Sequence, residues 1–298
     1  MIKNMNLFEE RFKKLRYQTT IPDMTQTLPE EKLVKIISKY DGWIVGDDPA
    51  TDKVLKSGKK GRLRALVKWG IGVDNIDVDA CKRLEIKFSN TPDIFGDEVA
   101  DIAIGYMIAL SRNTFLIDRE IRKGNWVKPT GSSLKGKTVG ILGLGDIGKN
   151  IAKRSKVLGL RTVGWDPNFI RQESVDDINE WPKKLDECDF LILSCALNST
   201  THNIFNSKIF KEIKKGLSVI NISRGQLINE KDLIKGLKSS LIKSVALDVF
   251  EEEPIKLSNE LLKFEECIFG SHNASNTLEG VLKASNRSID LLHKFLDS

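Results

Sequence analysis

Only four cysteines occur in the 298 residues, at positions 81, 188, 195 and 267. None belongs to a Cys-x-x-Cys pair and no histidine cluster stands beside them, which argues against a disulfide framework and against a zinc site. Cys195 lies in an apolar run and reads as buried, inert packing. Histidine is scarcer still, with His202, His272 and His293 in the whole chain. No apolar run approaches the length a membrane-crossing helix needs. The first residues (MIKNMNLFEERFKK) mix charges where a secretory leader would carry an apolar core. The expectations are therefore no membrane partner, no metal and, by default, a cytoplasmic location. There is no repeat of fixed period and no low-complexity segment.

What is present is an ordinary globular composition, 40% apolar and 30% charged, in a chain long enough for two domains with a core each. The formal net charge of +6 comes mostly from scattered lysine. The densest basic stretch, 56–64 (KSGKKGRLR), reads as a solvated loop, with a weak pull on anionic substrates as the sharper alternative. No aromatic residues interleave with it and no motif supports nucleic acid, so no such partner is expected.

Short apolar runs alternate with helical patterns almost throughout, the mark of βα units around a parallel sheet. In the first part, a helix is expected over 31–40 and strands over 42–46, 63–69 and 86–90, with a short helix over 79–84. A long helix follows over 97–111, apolar around most of its circumference and so expected to be buried between layers or subunits. The polar stretch 119–137 reads as a connection into a new unit. Further strands are expected over 138–142, 161–165, 190–195, 218–222, 244–249 and 267–270. A helix over 230–237 sits behind Asn229 as N-cap, and a final helix spans 277–295.

Gly143, Gly145 and Gly148 form Gly-x-Gly-x-x-Gly (GLGDIG) between the strand TVGIL and a helix with Ile147, Ile151 and Leu158 on one side. Gly159 stops that helix, and the next strand ends at Trp165 with Asp166 directly after it. The spacing is that of a dinucleotide fingerprint, and each part has a physical task. Gly143 allows the tight turn. Gly145 lets a pyrophosphate approach the backbone, and Gly148 lets helix and strand pack closely. The helix N-terminus offers N–H groups to phosphates. Asp166 can accept from both ribose hydroxyls and would repel a 2′-phosphate, which favours NAD over NADP. The alternative is a glycine-rich turn without a ligand.

Three charged residues stand at strand ends, where open α/β sheets bind ligands. Arg224 lies in ISRGQ, Glu253 in EEEP and His272 in GSHNAS. His202 reads as a loop residue and His293 as a surface residue of the last helix. Spacing alone leaves open whether Arg224, Glu253 and His272 converge or are ordinary loop charges.

Taken together, KWGIGVDNIDVDAC, SNTP, DEVADIAIGYMIALSRN, GKTVGILGLGDIGKNIA, NISRGQLINEKDLIKGL, ALDVFEEEP and SHNASN resemble the D-isomer-specific 2-hydroxyacid dehydrogenase family in order and spacing, from about Tyr40 to the C-terminus. That family includes phosphoglycerate dehydrogenase and glyoxylate/hydroxypyruvate reductases. The resemblance implies two flavodoxin- or Rossmann-like doubly wound parallel-sheet domains with the active site between them. A substrate domain (1–102 and 274–298) would hold an inserted NAD domain (103–273). It implies Arg224 as the arginine on the substrate carboxylate and carbonyl, His272 as the acid–base and Glu253 as its carboxylate partner, which favours the charged imidazolium and orients the ring. Asp248 resembles the residue on the nicotinamide carboxamide. Asp146, Ile147 and Asp166 match cofactor contacts, as does the backbone of Ile222 and Ser223. Gly70, Ile71 and Gly72 match a loop whose N–H groups hold the substrate carboxylate. Trp126 falls in the segment that helps form the family's homodimer.

Departures accompany the match. The usual His-x-Gly-Gly is His272-Asn273-Ala274-Ser275, Asp101 stands where Glu is usual, and Lys68 stands where phosphoglycerate-type members often carry Arg. A cation at 68 could still meet a substrate phosphate. No first strand is evident before residue 31, and no regulatory domain follows residue 298, so serine feedback is not expected. The implied activity is NAD-dependent hydride transfer on a small D-2-hydroxy or 2-oxo acid, with 3-phosphoglycerate and hydroxypyruvate or glyoxylate as the rival substrates. Glu253 argues against formate dehydrogenation, for which the family carries a neutral amide. A non-catalytic NAD-sensing corepressor-like protein is the alternative from another class, but it would need long extensions that this chain lacks.

Overall fold

A computed structural model describes residues 2–23, 27–168 and 173–297. The chain divides into two compact units, Met1–Ile94 with Thr277–Ser298, and Phe95–Asn276.

In the first unit a 3-10 segment (Ile2–Phe8) leads into α1 (Glu9–Lys14) and α2 (Glu30–Ile36). Three parallel strands follow, β1 (Gly42–Val45), β2 (Ala65–Lys68) and β3 (Lys87–Ser89), in that spatial order. They are joined by α3 (Asp52–Lys60) and α4 (Val78–Arg83). Thr51 caps α3 and Asp77 caps α4, each accepting from a first-turn N–H. β2 is buried along its whole length because both its faces are covered. Leu66 joins a core with Val54, Leu55, Leu63 and Ile86, while Ala65 and Val67 pack with Leu292 of the last helix, Leu278–Asp297. At Gly42 an added Cβ would stand 2.8 Å from Leu292 Cδ1, so that helix lies close on the sheet.

Two expectations change here, at the basic run and at His293. The first half of the basic run is helix α3, not loop: Val54, Leu55 and Gly58 are buried, and Lys56 pairs with Asp52 at 2.6 Å. Before residue 30 the described secondary structure is helical, with Phe8 and Phe12 packed on Ile289. His293 is half-buried instead of on the surface, and its Nδ1 lies 2.8 Å from the Tyr17 hydroxyl.

The second unit opens with α5 (Gly96–Arg112) and α6 (Thr114–Arg122). Then come β4 (Thr138–Leu142), α7 (Asp146–Val157), β5 (Arg161–Trp165), β6 (Asp177–Ile178), β7 (Phe190–Leu193), β8 (Leu217–Asn221), α8 (Glu230–Lys238), β9 (Ile242–Leu247) and β10 (Ile268–Phe269). These strands form one parallel sheet in the order β10-β9-β8-β7-β4-β5-β6. β4, β7 and β8 are buried throughout, as parallel strands covered on both faces must be. The chain runs outward from β4 through β5 to β6, then returns to β7 on the other side. The carboxyl ends of β4 and β7 therefore flank the switch point at which such sheets bind ligands. Asn229 caps α8 by accepting from Asp232 N–H at 3.1 Å, as expected.

The last turn of α6, 119–122, occupies residues assigned by sequence to the start of the connection. It has no buried residue, so periodicity against the core carries little signal there. Cys195 is half-buried, not buried, because it lies past the end of β7. The boundaries of the two units fall at 94/95 and 276/277, against the expected 102/103 and 273/274. α5 is one continuous helix packed on α7, β8 and β9, so its first turns stay with the second unit.

Candidate active site

The phosphate loop begins where β4 ends. Gly143 has φ +94°, and its N–H donates to the Trp165 carbonyl at 2.8 Å. A Cβ there would stand 2.5 Å from both Cα and N of Cys195. Glycine is thus required by conformation and by space at once. At Gly148 a Cβ would collide with the Gly143 carbonyl oxygen, so its missing side chain is what lets α7 start against the strand. At Gly145 a Cβ would meet no atom within 4 Å, leaving that face of the loop open. The first-turn N–H groups of α7, from Asp146 on, have no acceptor within the helix and carry its positive dipole end. These features fit a dinucleotide pyrophosphate.

Two acids have their own local ties. The Asp166 carboxylate accepts from Leu144 N–H at 2.8 Å and Asn168 N–H at 2.9 Å, which holds it at the lip of the glycine loop. Asp146 turns its carboxylate to α5, against Gly96, and accepts from the Asn150 amide at 3.2 Å. Any contact of Asp146 with a cofactor would thus come from its backbone. Arg154 of α7 reaches Asp97 and Asp101 on α5, each at 2.8 Å, which accounts for an acid at 101.

All the catalytic candidates stand at the same edge, past the carboxyl ends of their strands. After β8, buried Asn221 shapes the turn: its Oδ1 accepts from Ser223 N–H at 3.1 Å and its amide donates to the Arg224 carbonyl at 2.8 Å. Ser223 Oγ donates to the Cys195 carbonyl at 2.6 Å, and Ile222 is buried. Gly225 lies against the backbone of Phe250 and Glu251, too close for a side chain. This packing couples the Arg224 turn to the turn that carries Glu253. Glu253 Oε1 accepts from Phe250 N–H at 3.0 Å, and its Oε2 lies 2.8 Å from His272 Nδ1. The ring and the carboxylate retain 30% and 23% side-chain exposure. A carboxylate oxygen facing Nδ1 calls for a proton on that nitrogen and leaves Nε2 as the atom that gives or takes a proton.

The structure thus brings Glu253 and His272 together. Asn221 and Phe250, which hold two of the three turns, escape a sequence reading. The only local hint is Asn two residues before Ser223, the spacing of an Asx turn.

In the first unit Gly70 has φ +132°, and its N–H donates to Thr91 Oγ1 at 2.8 Å. Ile71 is exposed and its carbonyl accepts from the Asn90 amide at 2.8 Å. The Lys68 side chain is 3% exposed, and its ammonium donates to the Gly46 carbonyl at 2.5 Å and lies 3.2 Å from Asp47 Oδ1.

A glycine loop at a switch point, followed along the same sheet edge by an imidazole–carboxylate pair, defines a dinucleotide-dependent oxidoreductase. Residues 104–274 match the model of the D-isomer specific 2-hydroxyacid dehydrogenase NAD-binding domain. The chain belongs to the D-isomer-specific 2-hydroxyacid dehydrogenase family. It is 35% identical over 279 residues to D-3-phosphoglycerate dehydrogenase of Methanocaldococcus jannaschii, covering 90% of this chain and 52%, about half, of that one. It is 30% identical over 277 residues to hydroxypyruvate reductase of Thermotoga maritima, covering 91% and 90%. A glyoxylate reductase structure from Paecilomyes thermophila superposes with a TM-score of 0.86 at 27% identity, covering 98% and 92%. NAD is the family's cofactor, and the chain is an oxidoreductase of the CH–OH group.

Proposed function

We propose that the chain interconverts a small D-2-hydroxy acid and its 2-oxo acid, with His272 as acid–base, Glu253 as its partner and Arg224 on the substrate carboxylate and carbonyl. The observation that carries this reading is the 2.8 Å contact of Glu253 with His272 Nδ1. Bound NAD(H) supplies or takes up the hydride, and with it the two electrons. In reduction, His272 Nε2 gives its proton to the carbonyl oxygen as the carbon gains the hydride. In oxidation the same nitrogen takes the hydroxyl proton. The Arg224 guanidinium opposes the substrate's charge and holds the reacting carbon in line. Gly143, Gly145, Gly148 and the N–H groups of Asp146 and Ile147 hold the pyrophosphate, Asp166 takes the ribose, and the backbone of Ile222 and Ser223 lines the cofactor. Ile71 and Gly72 offer N–H groups to the substrate carboxylate, beside Gly70, whose N–H is held by Thr91.

The substrate is unphosphorylated, of the hydroxypyruvate or glyoxylate kind. The support is Lys68, whose charge is turned inward to Gly46 and Asp47 and so is a poor match to a phosphate. The active species is a cytoplasmic homodimer. Phe115, Ile121 and Trp126 are exposed, Trp126 at 80%, in the stretch after α5, and all four cysteines are free thiols, as in a reducing compartment.

The test is NADH oxidation with hydroxypyruvate, glyoxylate, pyruvate, 2-oxoglutarate and phosphohydroxypyruvate, with His272→Ala beside the parent. Hydroxypyruvate or glyoxylate should be reduced, phosphohydroxypyruvate poorly, and His272→Ala should lose the activity. Failure to reduce any 2-oxo acid, or a fully active His272→Ala, removes the catalytic reading.

A further inference from the structure

We propose that Tyr106 and Asp248 form a pin that positions the His272 loop, making both positioning residues for the hydride-transfer reaction. The inference rests on the function proposed above.

His272 has φ +55°, a left-handed backbone that a residue with a bulky side chain keeps only where its surroundings over-determine it. The two residues after Asn273 are Ala274 and Ser275, so the loop lacks the glycines that would adopt unusual dihedrals freely. What holds it is one residue at the end of β9. His272 N–H donates to the Asp248 carbonyl at 2.6 Å. Asn273 N–H donates to Asp248 Oδ1 at 3.2 Å and Ala274 N–H to Oδ2 at 2.9 Å. Three consecutive backbone donors thus converge on Asp248, and their directions set where the imidazole sits relative to Glu253.

Asp248 is 2% exposed, and a carboxylate so deeply placed needs donors for its oxygens. Two of the backbone donors reach the carboxylate, and its third donor comes from another element. The Tyr106 hydroxyl of α5 donates to Oδ1 at 3.4 Å, across 142 residues of sequence. Burial, and then the neighbouring Asp248 charge, push the Tyr106 hydroxyl above the ordinary phenol range, so it remains a donor. Gly270, two residues before His272, makes the room: a Cβ there would collide with both Asp248 Oδ1 and Tyr106 Oη. α5, the end of β9 and the end of β10 therefore meet at one carboxylate.

A carboxylate buried and engaged in this way is built to hold a loop. This separates the proposal from the carboxamide contact that family resemblance implies for Asp248. A cofactor contact would appear in NADH affinity, whereas a pin would appear in turnover.

The decisive variant is Tyr106→Phe, which removes one hydroxyl and keeps the ring. With hydroxypyruvate or glyoxylate as substrate, kcat should fall about fivefold, as for loss of one ordinary hydrogen bond, because at 3.4 Å this contact to the carboxylate is long. The Kd for NADH, read by fluorescence, should stay within about twofold. Asp248→Asn sets an amide N–H against backbone donors, so kcat should fall about 100-fold, and Tyr106→Phe should add little in that background. If Asp248→Asn does not fold, Tyr106→Phe decides alone. An unchanged kcat in Tyr106→Phe overturns the pin, and so does weakened NADH binding. A parent chain inactive on every 2-oxo acid defeats the proposed function. An active parent silenced by His272→Ala but untouched by Tyr106→Phe defeats only the pin.

Discussion

Replacing Glu253 by Gln isolates the charge of the partner from its shape. The Gln oxygen can still accept from Phe250 N–H, which lies 3.0 Å from Glu253 Oε1. The amide nitrogen would then face His272 Nδ1, now 2.8 Å from Oε2, with its own protons. Nδ1 must become an acceptor, the ring proton moves to Nε2, and the imidazolium loses its counter-charge. A hydrogen bond to a charged group is worth about 1.5–3 kcal/mol. With 30% and 23% of the two side chains exposed, solvent screening favours the lower end of that range. At about 1.4 kcal/mol per tenfold change, kcat for reduction should fall roughly 10- to 30-fold at neutral pH. The sign with pH follows from the chemistry. Reduction needs the protonated ring and the facing carboxylate favours that form, so its removal should make activity fail earlier as pH rises. Oxidation should suffer too, because the Nε2 that must accept a proton already carries one. The assay is steady-state NADH oxidation across the range in which an imidazole titrates, with NADH affinity measured alongside. A Glu253→Gln enzyme within twofold of the parent, with an unmoved pH profile, would refute the assignment of Glu253 as the partner that tunes His272.

Three further outcomes follow from the same geometry. Asp166→Ala should raise the KM for NADH about tenfold and narrow the preference over NADPH, since it removes both the proposed ribose acceptor and the tie to Leu144; an unchanged cofactor ratio counts against that role. Gly143→Ala places a side chain at φ +94° and against the Cys195 backbone, so urea denaturation should show a loss of about 2 kcal/mol or more, and a parent-like midpoint would contradict it. Burial pushes the thiols of Cys188 and Cys267 up to about 12 and those of Cys81 and Cys195 up to about 11. Because these values are raised in the folded chain, the stability they contribute is whole below the ordinary thiol value and is lost as pH climbs through the raised ones. Native alkylation at neutral pH should therefore be slow and begin at half-buried Cys195, and rapid reaction of all four thiols without denaturant would be inconsistent with this packing.

Elements with strong local signals are legible in the amino-acid order itself. The strand–glycine–helix–strand passage from Thr138 to Trp165, the Asn229 cap and the run of βα units depend on residue period and on backbone conformations that only certain residues adopt. α3 is hidden because lysines crowd its exposed face, and α6 because it buries no residue. The α5 boundary carries no local mark, because what assigns that helix to the second unit is its packing on α7 and the β8–β9 strands.

The sequence by itself determined the kind of unit and the residue types at its strand ends: a glycine loop, an acid after β5, and Arg224, Glu253 and His272 as candidates. Only the tertiary structure decided which of these act on one another. Glu253 meets His272 because β10 pairs with β9, so the turns past those two strands lie side by side. Asp248 grips the His272 loop for the same reason, and Tyr106 reaches it from a helix more than a hundred residues earlier. Lys68, an open cation in the sequence, is turned inward to Gly46 and Asp47 at the end of β1. The physical reason is that local conformation is written over a few neighbouring residues. The adjacency of strand ends is instead set by sheet order, which in this chain runs β10-β9-β8-β7-β4-β5-β6 and not in the order of synthesis.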